Sequence, residues 1–328
     1  MINFDYQRVS TVKTAVDAKT KNASSQFIAG GTNLVDLMKK GVSAPEKIID
    51  INGFLSYKDI IIGPKGSVGI GALATNSQLA ESPGIKSKNP LLALAINAGA
   101  SAQIRNMATV GGNMMQRTRC SYFYDITMPC NKREPGSGCA AIGGQNRMHA
   151  IFGTSEKCIA VHPSDMCVAL ATLDASVYIS GPKGDRKILF TDFHRLPGDT
   201  PELDNNLQKG ELITVVSIPA NTFTHFHYLK IRDRSSYAFA LVSVAVALEI
   251  SGNTINSANL AMGGVAHKPW RLTAVEKFLV GKPANKETFE AAAGMAMEGA
   301  TTFGKNNFKI KMGKAAVTEA LQQASQKI

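Results

Sequence analysis

Apolar and polar positions alternate over short distances in the first third of the chain, and glycine or proline closes each run. Residues 26–29 (QFIA) predict a strand, followed by the turn GGTN and a short helix over 34–40. Residues 47–51 (KIIDI) predict another strand, and 60–70 (IIIGPKGSVGI) a hairpin closed by Pro64 and Gly66. Thr75 or Asn76 caps a helix over 77–81, and 90–98 (PLLALAINA) is a helix with proline at its first position. From 117 to 160 the pattern lapses: arginines, cysteines, prolines and glycines follow one another with no sustained period. Ser164 restores it as the N-cap of a helix over 165–173, before a hairpin across 181–184 and a strand over 211–218 stopped by Pro219.

Beyond residue 222 the texture changes. Residues 225–231, 238–250 and 255–262 predict consecutive antiparallel strands, and amphipathic helices follow near 272–280, 287–299 and 313–327. A sheet with its helices gathered after it makes the fold class α+β, with domains over 1–221 and 222–328 and an irregular excursion at about 117–160. The apolar run over 238–248 (AFALVSVAVAL) has eleven residues, too few to span a bilayer, and reads as a buried strand or helix.

Composition narrows the function classes. The chain has 328 residues, 44% hydrophobic and 19% charged, enough to build a core for two domains. A net charge of +11 raises nucleic acid as a partner, but the basic residues are scattered, aromatics make up 7%, and no binding motif accompanies them. A basic surface facing an acidic subunit fits better. The start, MINFDYQRVS, lacks an apolar h-region, so the expectation is a soluble chain with no signal peptide of its own.

Three segments carry candidate chemistry. In IAGGTNL (28–34) a strand runs through two glycines into a helix start, where backbone N–H groups can approach an anion such as a pyrophosphate. It matches neither GxGxxG nor GxxxxGK[ST], and taken alone it is better explained as a plain tight turn. QIRNMATVGGNMMQ (103–116) repeats the glycine pair among Thr109, Asn113 and Gln116, side chains suited to the edge of a heteroaromatic ring. In HPSDM (162–166) Ser164 and Asp165 mark a helix start and suffice as caps.

The excursion holds four of the five cysteines in the pattern C-x9-C-x8-C-x18-C: Cys120, Cys130, Cys139 and Cys158. This is neither a zinc-ribbon nor a ferredoxin spacing, so an iron–sulfur cluster, disulfides and structural zinc all stay open on spacing alone. Arg117, Arg119, Lys132 and Arg133 would offset the negative charge of a thiolate-ligated cluster. Cys167 falls on an apolar helical position and reads as a small buried hydrophobe. His225 and His227 share a strand face, read as exposed because no third ligand accompanies them. His267, beside Trp270, reads as structural or subunit-contact sequence.

Taken together, FIAGGTNLVDLMK, IGALATNSQL, IRNMATVGGNMMQ, HPSDM and YLKIRDRSSYAFALVSVAV resemble, in order and over essentially the whole chain, the flavin subunits of the xanthine dehydrogenase and aldehyde oxidoreductase (molybdenum hydroxylase) family. The resemblance implies a vanillyl-alcohol-oxidase-type FAD-binding domain followed by a smaller α+β domain. It implies pyrophosphate contacts from Phe27, Ile28, Ala29, Gly30, Gly31, Thr32, Asn33, Leu34 and Val35. Thr109, Gly112, Asn113 and Gln116 would lie along the flavin with Arg105 nearby, Asp165 would bind the adenosine side, and Ile213 and Lys230 would complete the pocket. Common members pass from the Gly-Gly-Asn loop to the Ser-Asp segment in a short stretch; here Gly112 and Ser164 are 52 positions apart (164 − 112). The excess resembles an insertion that carries a [4Fe–4S] cluster in a subset of these subunits, which would make Cys120, Cys130, Cys139 and Cys158 its ligands. The implied function is electron transfer, with substrate oxidised in a molybdenum-cofactor subunit and electrons arriving from a [2Fe–2S] subunit for an external acceptor. No residue is needed as a catalytic base. A stand-alone FAD oxidase and a structural subunit with a zinc loop are the alternatives. A periplasmic location would require export with a signal-bearing partner.

Overall fold

A computed structural model describes residues 1–326 and contains three sheets. The first is parallel, with β1 (Asp5–Arg8), β2 (Ser25–Ile28) and β3 (Lys47–Asp50) in the order β1-β3-β2. The second is antiparallel, with β4 (Ile60–Ile62), β5 (Val68–Gly71), β6 (Ser176–Gly181), β7 (Gly184–Leu189) and β8 (Leu212–Ile218) in the order β4-β5-β8-β6-β7. The third, also antiparallel, joins β9 (His225–Ile231), β10 (Val242–Ser251), β11 (Thr254–Gly263) and β12 (Trp270–Arg271) in the order β12-β11-β10-β9. The α+β expectation holds, with helices covering the third sheet from the C-terminal side of the sequence.

Local signals placed many elements closely. The helix Pro90–Ala98 begins on its proline, and Asp165–Thr172 begins after Ser164, whose hydroxyl accepts from the Cys167 N–H at 3.1 Å. Such a cap stabilises a helix by about 1 kcal/mol. Thr75 caps Asn76–Glu81 in a capping box with Gln78. The strand Asp5–Arg8 and the helix Val12–Lys21 were not anticipated, and the polar segment 101–116 contains two short helices, Ala102–Met107 and Val110–Met114. The last helix, Phe308–Ser325, starts earlier than expected, and position 327 of the expected helix lies outside the described residues.

The run AFALVSVAVAL becomes β10 from Val242 onward, while residues 238–241 belong to the preceding loop. Its stretch Val244–Leu248 is apolar without a break because it is covered on both faces. Val242, Val244, Val246 and Leu248 pack with the helices Lys286–Ala296 and Phe308–Ser325. Ala245 and Ala247 alternate with them and join the core of Pro90–Ala98 and Asp165–Thr172. Large residues thus fill the outer layer, and small ones let the helices of the first half approach. His225, expected on an exposed face, is 9% exposed and bonded to the Thr224 hydroxyl at 2.7 Å, because β9 has both neighbouring helices against it.

Candidate functional site

The glycine turn after β2 is set by contact. A Cβ on Gly30 would lie 1.8 Å from the Met107 carbonyl oxygen, and Gly31 has φ +71°, so neither position accepts a side chain without displacement. The turn delivers the chain to the helix Leu34–Lys39, whose N-cap Asn33 makes no side-chain capping bond. Instead Asn33 Oδ1 accepts from the Arg117 N–H at 3.0 Å, and its Nδ2 is buried without a partner. A buried unpaired donor at a helix start is a place for an acceptor to bind.

Two cavities meet here, sharing Thr32, Asn33 and Gly112 in their linings. The smaller, about 370 Å³, is bounded by Phe27, Ile28, Ala29, Gly30, Gly31 and Leu34 on one side and by Thr109, Leu212 and Ile213 on the other. The larger, about 640 Å³, is bounded by Arg105, Asn113, Gln116, Arg119, Asp165, Lys230, Tyr237 and Phe239. The structure therefore gathers nearly all the expected cofactor residues around one composite cleft. Val35 lies behind the turn, against the Gly31 position.

Several of these side chains are already engaged. Lys230 Nζ donates to Asp165 Oδ2 at 2.7 Å and to the Ala98 carbonyl at 3.0 Å, and Tyr228 donates to Asp165 Oδ1 at 2.7 Å. The pair is a buried, charge-balanced wall, with side chains 4% and 9% exposed. Asn113 Oδ1 accepts from Gln116 Nε2 and Ser164 Oγ, each at 2.6 Å, which joins the 103–116 and 162–166 segments. Thr109 Oγ1 accepts the Gly112 N–H at 3.2 Å as the N-cap of Val110–Met114. Arg105 donates to the Gly99 carbonyl at 2.8 Å. Asn76, whose buried Oδ1 has no partner, and the 233–239 loop also line the larger cavity. Sequence reasoning used Asn76 only as a cap; its polar character inside an otherwise apolar helix face was the available signal.

The four cysteines of the excursion line a single small cavity with Phe123, Pro129, Lys132, Ala141 and His149. Cys130 and Cys139 face each other across an isolated antiparallel bridge, and Cys158 closes a turn with Ser155. All five cysteines are free thiols. Burial pushes Cys120 up to about 12 and Cys158 up to about 11, the latter against the opposing field of Lys132. So held, they are neutral thiols, and a metal would have to displace their protons to bind. Tetrahedral zinc at its usual bond length draws thiolate sulfurs to about 3.8 Å of one another. Among the described residues, the His, Cys, Asp and Glu ligand atoms that gather within 4.8 Å are those of His162, Cys167 and His194, not the four cysteines. The four sulfurs therefore do not all lie as close together as a tetrahedral zinc site would hold them.

Cys167 stays outside this cavity and is fully buried, its thiol pushed up to about 12 by burial. The adjacent imidazoles of His162 and His194 are held neutral by burial, and Lys132 adds a positive field at His162. That setting disfavours a cation, and the three residues act as packing. The cations expected to offset cluster charge also have other partners, while Lys132 keeps its field on Cys158. Arg117 and Lys132 both bind Asp204 at 2.6 Å, Arg119 binds Asp36 at 3.2 Å, and Arg133 donates to the carbonyls of Tyr122 and Phe123. Asp204 and Asp36 lie far away in sequence, so their recruitment of these cations is a tertiary event. His149 was also missed: its Nε2 lies 3.1 Å from Cys120 Sγ.

The family "FAD binding domain in molybdopterin dehydrogenase" matches residues 2–221, and "CO dehydrogenase flavoprotein C-terminal domain" matches 227–324. The chain belongs to the FAD-binding subunits of the molybdenum hydroxylases. It is an oxidoreductase subunit of the kind found in multi-subunit aldehyde and xanthine dehydrogenases. It is 45% identical to the aldehyde oxidoreductase FAD-binding subunit PaoB of Escherichia coli (strain K12), over 98% of each chain. It is 30% identical to the glyceraldehyde dehydrogenase medium chain of Sulfolobus acidocaldarius, over 87% of this chain and 83% of that one. A crystal structure of the Cu,Mo-CO dehydrogenase contains a chain that superposes with TM-score 0.78 at 25% identity, with full coverage of both. The donor set of the composite cleft fits FAD: an anion-ready helix start between two chambers, each lined for a ring system. Among the described residues no helix is long and apolar enough to cross a membrane.

Proposed function

We propose that this flavin subunit carries both FAD and a [4Fe–4S] cluster and serves electron transfer in a molybdenum-dependent aldehyde oxidoreductase. Its partners in this reading are a molybdenum-cofactor subunit that oxidises the aldehyde and a [2Fe–2S] subunit that supplies electrons, with an external acceptor receiving them. Full-length similarity to an aldehyde oxidoreductase subunit supports the substrate class.

The observation that carries the reading is the adjacency of cleft and cysteine cavity. Arg119 lines the larger chamber while its neighbour Cys120 lines the cysteine cavity; Met148 and His149 divide in the same way. Sequence neighbours at these two points thus line the two cavities. FAD, when bound, supplies one- and two-electron exchange, and the protein's part is to bind, orient and tune it. Phe27 to Leu34, with Asn33 Nδ2 among them, would hold the pyrophosphate, and Val35 would back the turn. The larger chamber suits the tricyclic flavin ring, whose polar edge meets Gln116, Asn113 and the Asp165–Lys230 wall beside Arg105. The smaller chamber suits adenosine, beside Ile213. In this reading Asp165 meets the flavin end, where the resemblance implies the adenosine side.

The test is anaerobic purification of the complex followed by flavin, iron, sulfide and zinc analysis. The expected result is stoichiometric FAD with iron and sulfide in excess of the two [2Fe–2S] clusters. Zinc in place of that iron would refute the cluster, and turnover of a small substrate by the isolated chain would favour a stand-alone oxidase.

A further inference from the structure

We propose that His149 tunes the reduction potential of the cluster by donating a hydrogen bond to Cys120, and that the C-terminal domain holds it in position. The inference rests on the [4Fe–4S] reading above. His149 Nε2 lies 3.1 Å from Cys120 Sγ, and the side chain is 4% exposed. Its other ring nitrogen, Nδ1, is buried with no partner. A cluster-bound thiolate can only accept, so the contact requires the proton on Nε2 and leaves Nδ1 as a bare lone pair. One N–H thus points at one of the four sulfurs. Donation withdraws charge from the sulfur and favours the more electron-rich, reduced cluster.

The donor is positioned from far away in sequence. The His149 carbonyl accepts Lys309 Nζ at 2.9 Å, and the Ala150 carbonyl accepts Asn306 Nδ2 at 3.0 Å. Asn146 Nδ2 donates to the Phe303 carbonyl at 2.7 Å, and Asn146 Oδ1 accepts the Lys305 N–H at 3.0 Å. The Thr301 N–H reaches the Ile151 carbonyl at 2.8 Å. Segment 146–151 is therefore pinned to 301–309, which contributes no cysteine. His149 is a positioning residue: it acts through Cys120, and its effect is on potential rather than on ligand count.

The experiment is a redox titration of the intact complex monitored by electron paramagnetic resonance, for wild type, His149→Leu, His149→Gln and Asn306→Ala. His149→Leu is expected to retain iron and FAD while the cluster signal moves to lower potential. The expected shift is at least tenfold in the reduction equilibrium, 59 mV for one electron. His149→Gln, which keeps an N–H, recovers at least half of that shift, and Asn306→Ala moves the potential the same way by less. An unchanged potential in His149→Leu with the cluster intact overturns the proposal. Should that variant not assemble the cluster, wild type exchanged into D2O decides: the absence of a coupled exchangeable proton at the cluster overturns it. Absence of any cluster signal in wild type overturns the [4Fe–4S] reading itself, a result distinct from either.

Discussion

Lys309 is fully buried, and its ammonium donates to the carbonyls of His149 and Gly264, at 2.9 and 2.7 Å. Burial, with a smaller push from Arg147, lowers its pKa from the ordinary 10.5 to about 7. The sign follows from which form burial penalises. Below pH 7 the ammonium is charged in both folded and unfolded chains, and the folded state bears the full penalty. Between 7 and 10.5 the unfolded chain holds a proton that the folded chain has released, so stability rises with pH at about 1.4 kcal/mol for each pH unit. At that slope the whole window is worth on the order of 5 kcal/mol. Lys309→Met keeps the volume and removes the titration. Urea unfolding followed by circular dichroism at about pH 7, 8.5 and 10 measures it, with wild type minus variant cancelling the other alkaline titrations. The variant is expected to lose the slope; equal slopes for the two proteins would refute the assignment of the penalty to Lys309.

Other outcomes follow from the same contacts. Gly30→Ala must displace the Met107 carbonyl, so it is expected to lower flavin content in the purified complex at least tenfold, read from the flavin absorbance. On the proposed cluster, Cys130→Ser is expected to lose iron and sulfide beyond the [2Fe–2S] content, whereas Cys167→Ser, outside the cavity, keeps them; iron analysis separates the two. Asp204→Asn leaves Arg117 and Lys132 without their carboxylate and is expected to cost about 3–5 kcal/mol, seen as a lower melting temperature. Burial alone would raise the Asp204 pKa, but Lys132 and Arg117 outweigh it and hold the carboxyl well below its usual range. Its stabilisation is therefore full above the unfolded value of 3.8 and is lost as pH falls toward the folded one; a wild-type acid transition matching that of Asp204→Asn would contradict this.

Much of the local structure was legible. Ser164 and Thr75 cap helices through bonds to N–H groups three residues away, and Pro90 and Pro64 set φ at their own positions. Such signals act within one turn, and the elements they mark lie where the pattern put them. The helices at 102–107 and 110–114 escaped because they are five or six residues long and packed through backbone contacts, leaving no apolar period to read. The grouping of glycine, amide and hydroxyl segments into one cleft was inferred from resemblance, and the structure brings nearly all of those residues together.

By itself, then, the sequence determined the strand-turn-helix at Gly30–Gly31, the capped helix at Asp165, an apolar strand within 238–250 whose start only the fold set at Val242, and a cysteine-bearing segment with no core of its own. It could not say where the cations of that segment would go, or which histidine would meet a sulfur. Asp204 lies 87 positions from Arg117, and Lys309 lies 160 from His149. Such pairings depend on loop closures and on burial that punishes any unpaired charge, and neither is visible until the domains pack. The four cysteines were countable in the chain; only the tertiary structure placed them around one cavity, whose lining residues Cys120 and His149 directly follow the cleft residues Arg119 and Met148.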